Sequence, residues 1–318
     1  MFLEQFKITG LAMAQIFLLG GLGYLLVKKN ILSSEGLDAL SRLVIQIIFP
    51  AFILSQMLKS FSFSLYPNWW IFPLISLAIT VAGLILGWLL IKLVALKTDK
   101  LQFLSLVAFQ NSGYLPLAIV ASIFTGQQAS DIFIFIFLFL LGFDLVAWSL
   151  GIYMLTYEKK VKFKLQSVFS SPVVANLASL ALIALGINKF IPEVLFKPLS
   201  MVGNCTLPLA MLVVGGNVAL VRLKDIDKKA TFIFLLGKLI ILPALGILLV
   251  LKLRLPYLLG FLIVLQLAMP SATSLSVIIR RFNRQDALIS QGVFFSHILG
   301  LLTIPLFLSL YLYLVMLK

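Results

Sequence analysis

The sequence predicts an all-α polytopic membrane protein: ten transmembrane helices in two inverted five-helix repeats, each with one broken helix. Three observations carry this. Of 318 residues, 62% are hydrophobic and 11% charged, with mean hydropathy +1.14, whereas a soluble chain carries about 25% charged residues. The apolar runs are continuous rather than alternating, which fits membrane helices and excludes a β-barrel. Two of the runs, about half a chain apart, are interrupted by polar residues, glycine and proline.

Spans are expected at about 8–27, 38–58, 69–96, 101–124, 132–157, 172–187, 195–221, 230–251, 256–279 and 286–313. The sixth is short. No linker is long enough to separate soluble domains. The division is 1–157 for the first repeat, 158–171 for a basic cytoplasmic loop and 172–318 for the second repeat. Residues 1–7 hold Glu4 and Lys7 rather than a basic cluster, and the first run ends at Lys28-Lys29 without a small-residue cleavage pattern. A cleaved signal is therefore not expected.

The net charge of +14 resides in short inter-helix loops, so it reads as membrane topology and not as a nucleic-acid surface. Loops after the odd-numbered spans hold 17 of the basic residues, against 7 on the other side with the tails included. The excess places both termini outside and the odd-numbered loops in the cytoplasm of a cell (inner) membrane. Trp69, Trp70, Tyr257, Tyr311 and Tyr313 then fall near the outer interface, and Tyr153 and Tyr157 near the inner one. Cys205 is alone and matches no metal spacing. With one histidine and no carboxylate cluster, neither a metal nor another cofactor is expected.

The first interruption is Phe109-Gln110-Asn111-Ser112-Gly113-Tyr114-Leu115-Pro116, inside a run of 24 apolar residues that as a helix is about 36 Å long. Pro116 lacks an N–H and collides with the carbonyl four residues back. Gly113 adds backbone freedom. A break at membrane depth is tolerated only against protein or water. The counterpart in the ninth span is Gln266-Leu-Ala-Met269-Pro270-Ser271-Ala272-Thr273-Ser274. Pro50 and Pro208 are 158 apart, Pro116 and Pro270 are 154 apart, and Asp144 and His297 are 153 apart. These offsets suggest two repeats, and five spans each makes them inverted. Both breaks then lie near the bilayer centre. Their second halves begin near one point, at Gly113–Leu115 and Ser271–Ser274, with unpaired N–H groups and partial positive charge. Two such ends favour an anion, and the opposite ends suit a cation.

Asp144, Lys238 and His297 lie deep in spans, where ionisable groups face protein or water. Asp144 is a candidate carrier of a proton or a co-transported cation, so H+ and Na+ are both candidate coupling ions. Lys238 is read either as neutralising the carbonyl ends of the broken helices or as the partner of Asp144. His297 is a third candidate for ion coupling or charge compensation, read more simply as a hydrogen-bonded interior histidine. Gln46 before Pro50, Asn204-Cys205-Thr206 before Pro208, and Asn217 after it either complete the cavity or satisfy freed carbonyls. Gly83-x-x-x-Gly87 is a close-packing motif for a homodimer or, more simply, for contacts within the subunit. A second reading is a cation/proton exchanger using Asp144 and Lys238. One midplane carboxylate rather than a pair counts against it. An intramembrane enzyme lacks a Gly-x-Ser-x-Gly elbow.

Asn111-Ser-Gly-Tyr-Leu-Pro116-Leu-Ala, Pro208-Leu-Ala-Met-Leu-Val-Val-Gly-Gly and Met269-Pro270-Ser-Ala-Thr, followed by Arg280-Arg281-Phe282, resemble the auxin efflux carrier family. That family includes plant PIN carriers and bacterial malate and malonate permeases. The resemblance covers nearly the whole chain. It implies a fold like that of sodium/proton antiporters and bile-acid symporters. It also implies a scaffold domain of spans 1, 2, 6 and 7 and a transport domain of spans 3–5 and 8–10 that moves like an elevator. It implies that the fourth and ninth spans cross at Pro116 and Pro270. It further implies that Asn111 and the backbone after each proline contact a substrate carboxylate. The long hydrophilic loop of many plant members is absent. The substrate expected is a small organic anion, an auxin-like monocarboxylate or a malate- or malonate-like dicarboxylate. The substrate-binding candidates are Gln110, Asn111, Ser112, Gly113, Tyr114, Pro116, Met269, Pro270, Ser271, Ala272, Thr273, Ser274, Pro50, Asn204, Thr206 and Pro208.

Overall fold

The computed structural model describes residues 2–94, 99–157, 169–221, 227–281 and 287–317. Most of the basic loop 158–171, and the basic residues Lys97, Arg222, Lys224 and Arg284 with Phe282, lie outside the described residues. The described residues are mostly helical. The helices are α1 (Phe2–Lys28), α2 (Ser34–Ser60), α3 (Ile71–Leu93), α4 (Lys100–Ala108), α5 (Tyr114–Ile123) and α6 (Gly126–Thr156), followed by α7 (Ser171–Ala184), α8 (Glu193–Asn204), α9 (Thr206–Ala219), α10 (Lys228–Lys252), α11 (Tyr257–Ala268), α12 (Thr273–Arg281) and α13 (Ala287–Met316). Seven of the described stretches are long and apolar enough to cross a membrane, with Glu193–Ala219 counted as one. The protein is therefore an integral membrane protein with multiple spans.

Four helices begin on a side-chain cap. Ser33 accepts from Gly36 N–H at α2, Asp99 from Gln102 N–H at α4, Ser170 from Val173 N–H at α7 and Asp227 from Ala230 N–H at α10. Each oxygen satisfies one N–H that the first turn leaves free. Two prolines reshape the helices they enter. Phe49 N–H bonds to Val44 across a π-turn just before Pro50, and Leu242 N–H bonds to Gly237 across another just before Pro243. A proline cannot donate to the carbonyl four residues back, and here the helix widens rather than breaking.

Glycines set how closely the helices approach. A Cβ on Gly23 or Gly215 would enter the backbone of the facing helix, at Leu212 and Gly20 respectively, so α1 and α9 touch main chain to main chain. Gly203 meets Phe52 of α2 in the same way. Gly83 meets Ala108 and Gly87 meets Val107, so the Gly83-x-x-x-Gly87 motif seats α4 on α3 within the subunit. The Phe-rich part of α6 faces inward: Phe133, Phe137, Phe139 and Phe143 are buried. Phe52 meets Phe133 and Phe137 at ring-centroid distances of 5.5 and 5.7 Å, and Phe49 meets Phe137 at 6.4 Å. This aromatic seam between α2 and α6 leads to the interior site.

Candidate functional site at the crossing of two broken helices

The fourth apolar run is α4 and α5, and the ninth is α11 and α12. Between each pair the chain becomes extended: Phe109 has φ −99° and ψ 108°, and Met269 has φ −69° and ψ 143°. The two extended pieces pair antiparallel at Gln110 and Ser271. Asn111 N–H donates to Pro270 O at 2.8 Å, and Ala272 N–H donates to Phe109 O at 3.0 Å. Pairing thus replaces two of the hydrogen bonds that each helix forfeits by stopping, and stranding such a group away from water costs about 1–3 kcal/mol.

Side chains complete the inventory. Gln266 Nε2 donates to Ser112 O at 3.1 Å, and Ser271 Oγ donates to Leu106 O at 2.6 Å. Ser271 N–H donates to Ser296 Oγ at 3.3 Å. Lys238, only 1% exposed, donates from Nζ to Val107 O at 3.0 Å. Two carbonyls in the last turn of α4 are thereby taken by two other segments, Leu106 O by the Ser271 stretch and Val107 O by α10. The start of α5 is left open. Gly113 caps α5 with no side-chain bond, while in the first turn of α12 Leu275 N–H donates to Ala272 O at 3.2 Å.

The starts of α5 and α12 border a cavity of about 130 Å³. Gln110, Asn111, Ser112, Gly113 and Tyr114 form one wall, and Ala272, Thr273 and Ser274 another. Asp144, Trp148 and Ser170 lie on a third side, with Phe49, Phe109 and Phe143 as apolar surface. Gln110 is 1% exposed, and neither its amide nitrogen nor its amide oxygen has a partner in the protein. Asn111 Nδ2 is likewise buried and unpartnered. Unpaired amides at such a point are polar groups awaiting a guest or water. Helix starts favour negative charge. The Asp144 carboxylate opposes it and accepts a hydrogen bond from Ser170 at 2.9 Å.

Several sequence-predicted residues lie elsewhere. Pro116 is buried as the third residue of α5 and does not make the break; its missing N–H is one the first turn would leave free in any case. The crossing instead falls at Gln110 and Ser271, because cross-pairing there satisfies both backbones. Met269, Pro270 and Ser271 do not line the cavity; Pro270 O and the Ser271 hydroxyl make bonds across the crossing. Pro50, Asn204, Thr206 and Pro208 do not line the cavity. Thr206 Oγ1 donates to Ile48 O at 3.2 Å, tying α9 to the π-turn of α2, while Asn204 and Pro208 are exposed. Lys238 and His297 are also away from the wall. Lys238 is bonded to Val107 and makes no ion pair with Asp144. His297 Nδ1 donates to Val293 O at 2.8 Å. The sequence reading passed over Phe49, Trp148 and Ser170. Trp148 is one helical turn after Asp144 and so shares its face, and Ser170 before Ser171-Pro172 carries a helix-start pattern.

The profile of a family described as Membrane transport protein matches residues 10–168 and 155–308. The chain belongs to that family. Among curated proteins it is similar to Protein PIN-LIKES 6 of Arabidopsis thaliana, 27% identical over 124 residues that cover 38% of this chain and 29% of the relative. It is also similar to Protein PIN-LIKES 1 of Arabidopsis thaliana, 22% identical over 318 aligned positions, 78% of this chain and 66% of the relative. The chain thus spans less than two thirds of the length of these relatives.

Proposed function

We propose that the protein is a secondary transporter of small organic anions, and that it binds the carboxylate in the cavity at the crossing. The candidate substrates are auxin-like monocarboxylates and malate- or malonate-like dicarboxylates. The observation that carries this is the antiparallel pairing at Gln110 and Ser271, which brings the starts of α5 and α12 to one cavity beside the unpartnered amides of Gln110 and Asn111. The volume, about 130 Å³, suits a small acid better than a drug-sized ligand.

In this reading the helices make ten spans, with α4–α5 and α11–α12 each counted as one broken span and α8–α9 as the seventh. Residues 1–157 and 172–318 are the inverted repeats. Both termini lie outside a cell membrane, following the 17-to-7 bias in basic residues. Spans 1, 2, 6 and 7 (α1, α2, α7, α8 and α9) form a scaffold. Spans 3–5 and 8–10 form the moving body. The packing of α1 on α9 and of α2 on α7 and α8 supports the grouping, as does the packing of α3 on α4 and α6 and of α11 on α10 and α13. The aromatic seam between α2 and α6 offers the moving body an apolar surface to slide on.

The test is uptake of labelled carboxylates into proteoliposomes. Saturable uptake by the parent protein is expected, with at least about tenfold loss in Asn111→Ala and Pro270→Ala, the equivalent of about 1.4 kcal/mol of binding. Unchanged uptake in both variants would refute the site.

A further inference from the structure

The cavity at the crossing is lopsided in its chemistry. One wall holds the amide nitrogens of Gln110 and Asn111, donors with no acceptor in the protein. Another holds Asp144, the one acidic side chain on the lining. Among the described residues no Lys, Arg or His lines the cavity. A charged group taken out of water needs a partner, so a guest with two carboxylates finds one for a single end. Asp144 is held in place. Ser170 Oγ accepts Val173 N–H at 3.4 Å as the cap of α7 and donates to Asp144 Oδ2 at 2.9 Å. That leaves Oδ1, which takes no donor among the described residues. Just after Asp144, α6 widens into a π-turn at Ala147–Gly151, a form kept mostly at functional sites. Trp148 in that turn lines the cavity together with Asp144 and Phe143, and ring surface suits a cation or an N–H. The volume is about 130 Å³, so one small guest reaches both the amide wall and Asp144.

We propose that Asp144 is the specificity-determining residue of the cavity, and that the substrate is a monocarboxylate with a hydrogen-bond donor, an ammonium, hydroxyl or ring N–H, a few bonds from its carboxyl group. The carboxyl group takes the amides of Gln110 and Asn111, and the donor takes Asp144 Oδ1. A methyl group in the donor's place leaves Oδ1 unpaired in a site shut off from water. A second carboxylate sets acceptor against acceptor, which is discrimination by a repulsive contact. This selection rests on the carboxylate reading of the cavity and ranks its candidates, an acid with a donor first and a dicarboxylate last.

The experiment is calorimetric titration of the purified full chain with β-alanine, β-hydroxypropionate, butyrate and malonate. The first three have the same chain length and differ only in the terminal group: ammonium, hydroxyl or methyl. Relative to butyrate, β-alanine is expected to bind at least about tenfold tighter, β-hydroxypropionate about threefold tighter, and malonate more weakly. In Asp144→Asn the advantage of β-alanine over butyrate is expected to shrink at least about tenfold, while butyrate and malonate gain. Butyrate or malonate binding the parent protein as tightly as β-alanine overturns the selection and leaves the carboxylate site standing. A ranking that survives Asp144→Asn unchanged also overturns it, since the selecting group is then elsewhere. If Asp144→Asn does not fold, the ranking on the parent decides alone. No binding of any of the acids sinks the carboxylate reading, and the selection with it.

Discussion

Replacing Ser271 by alanine removes one oxygen atom and tests how the crossing is held together. Ser271 is fully buried, and its hydroxyl donates to Leu106 O at 2.6 Å. Leu106 is in the last turn of α4, where a carbonyl has no intrahelical donor. No water can replace the hydroxyl in a close-packed interior, so the carbonyl is stranded at a cost of about 1–3 kcal/mol. For a chain of this length that corresponds to a fall in melting temperature of about 2–5 °C. Ser122→Ala is the control: that hydroxyl bonds to Ala118 O within its own helix, where the carbonyl keeps its backbone donor. Its expected effect is below about 0.5 kcal/mol. Intrinsic tryptophan fluorescence suits the melting assay, because Cys205 is exposed and a thiol-reactive dye would label the folded state. Equal melting of the two variants would show that the Ser271 bond does not support α4 and would refute the reasoning.

Gly215→Ala places a methyl group in the backbone of Gly20 and should separate α1 from α9, costing about 3 kcal/mol or more and lowering the monodisperse yield in size-exclusion chromatography. Gly10→Ala, with open space around it, should gain up to about 1 kcal/mol by helix propensity in the same assay. Asp144→Asn removes the carboxylate that opposes an anion in the cavity and should tighten carboxylate binding about tenfold in a calorimetric titration. Tyr66 donates to Asp131 at 2.5 Å in the loop before α3, and burial first, then that bond, pushes its phenol well above the usual value. The unfolded chain loses this proton near pH 10 while the folded chain keeps it, so stability falls as pH rises from there. Melting scans should show a shallower alkaline decline in Tyr66→Phe than in the parent.

Long apolar runs declare membrane helices because nothing else buries them, and the seven long helices begin and end within about six residues of the expected spans. The two breaks were legible too, since amides, glycine and proline in an apolar run have few other uses. Their register was not. Pro116 looked like the breaker, but the stopping point is set by pairing with Pro270 and Ala272, more than 150 residues away in sequence. The same limit applies to polar partners. Lys238 could be read as reaching Asp144 or a carbonyl end, and only the π-turn before Pro243 decides for Val107. Pro50 and Pro208 matched the cavity prolines in spacing, yet neither lines the cavity, and Thr206 ties α9 to α2 instead, because repeat spacing says which elements correspond and not which of them face the site.

The central claim is that a carboxylate settles between the starts of α5 and α12. Trp148 lies on the wall of that cavity, so a variant carrying Trp69→Phe, Trp70→Phe and Trp88→Phe reports from the site through one indole. Titrating it with small mono- and dicarboxylates should change its fluorescence saturably, while the matching uncharged amides do nothing and Asn111→Ala abolishes the response. An equal response to acid and amide, or none to any acid tried, would contradict the account.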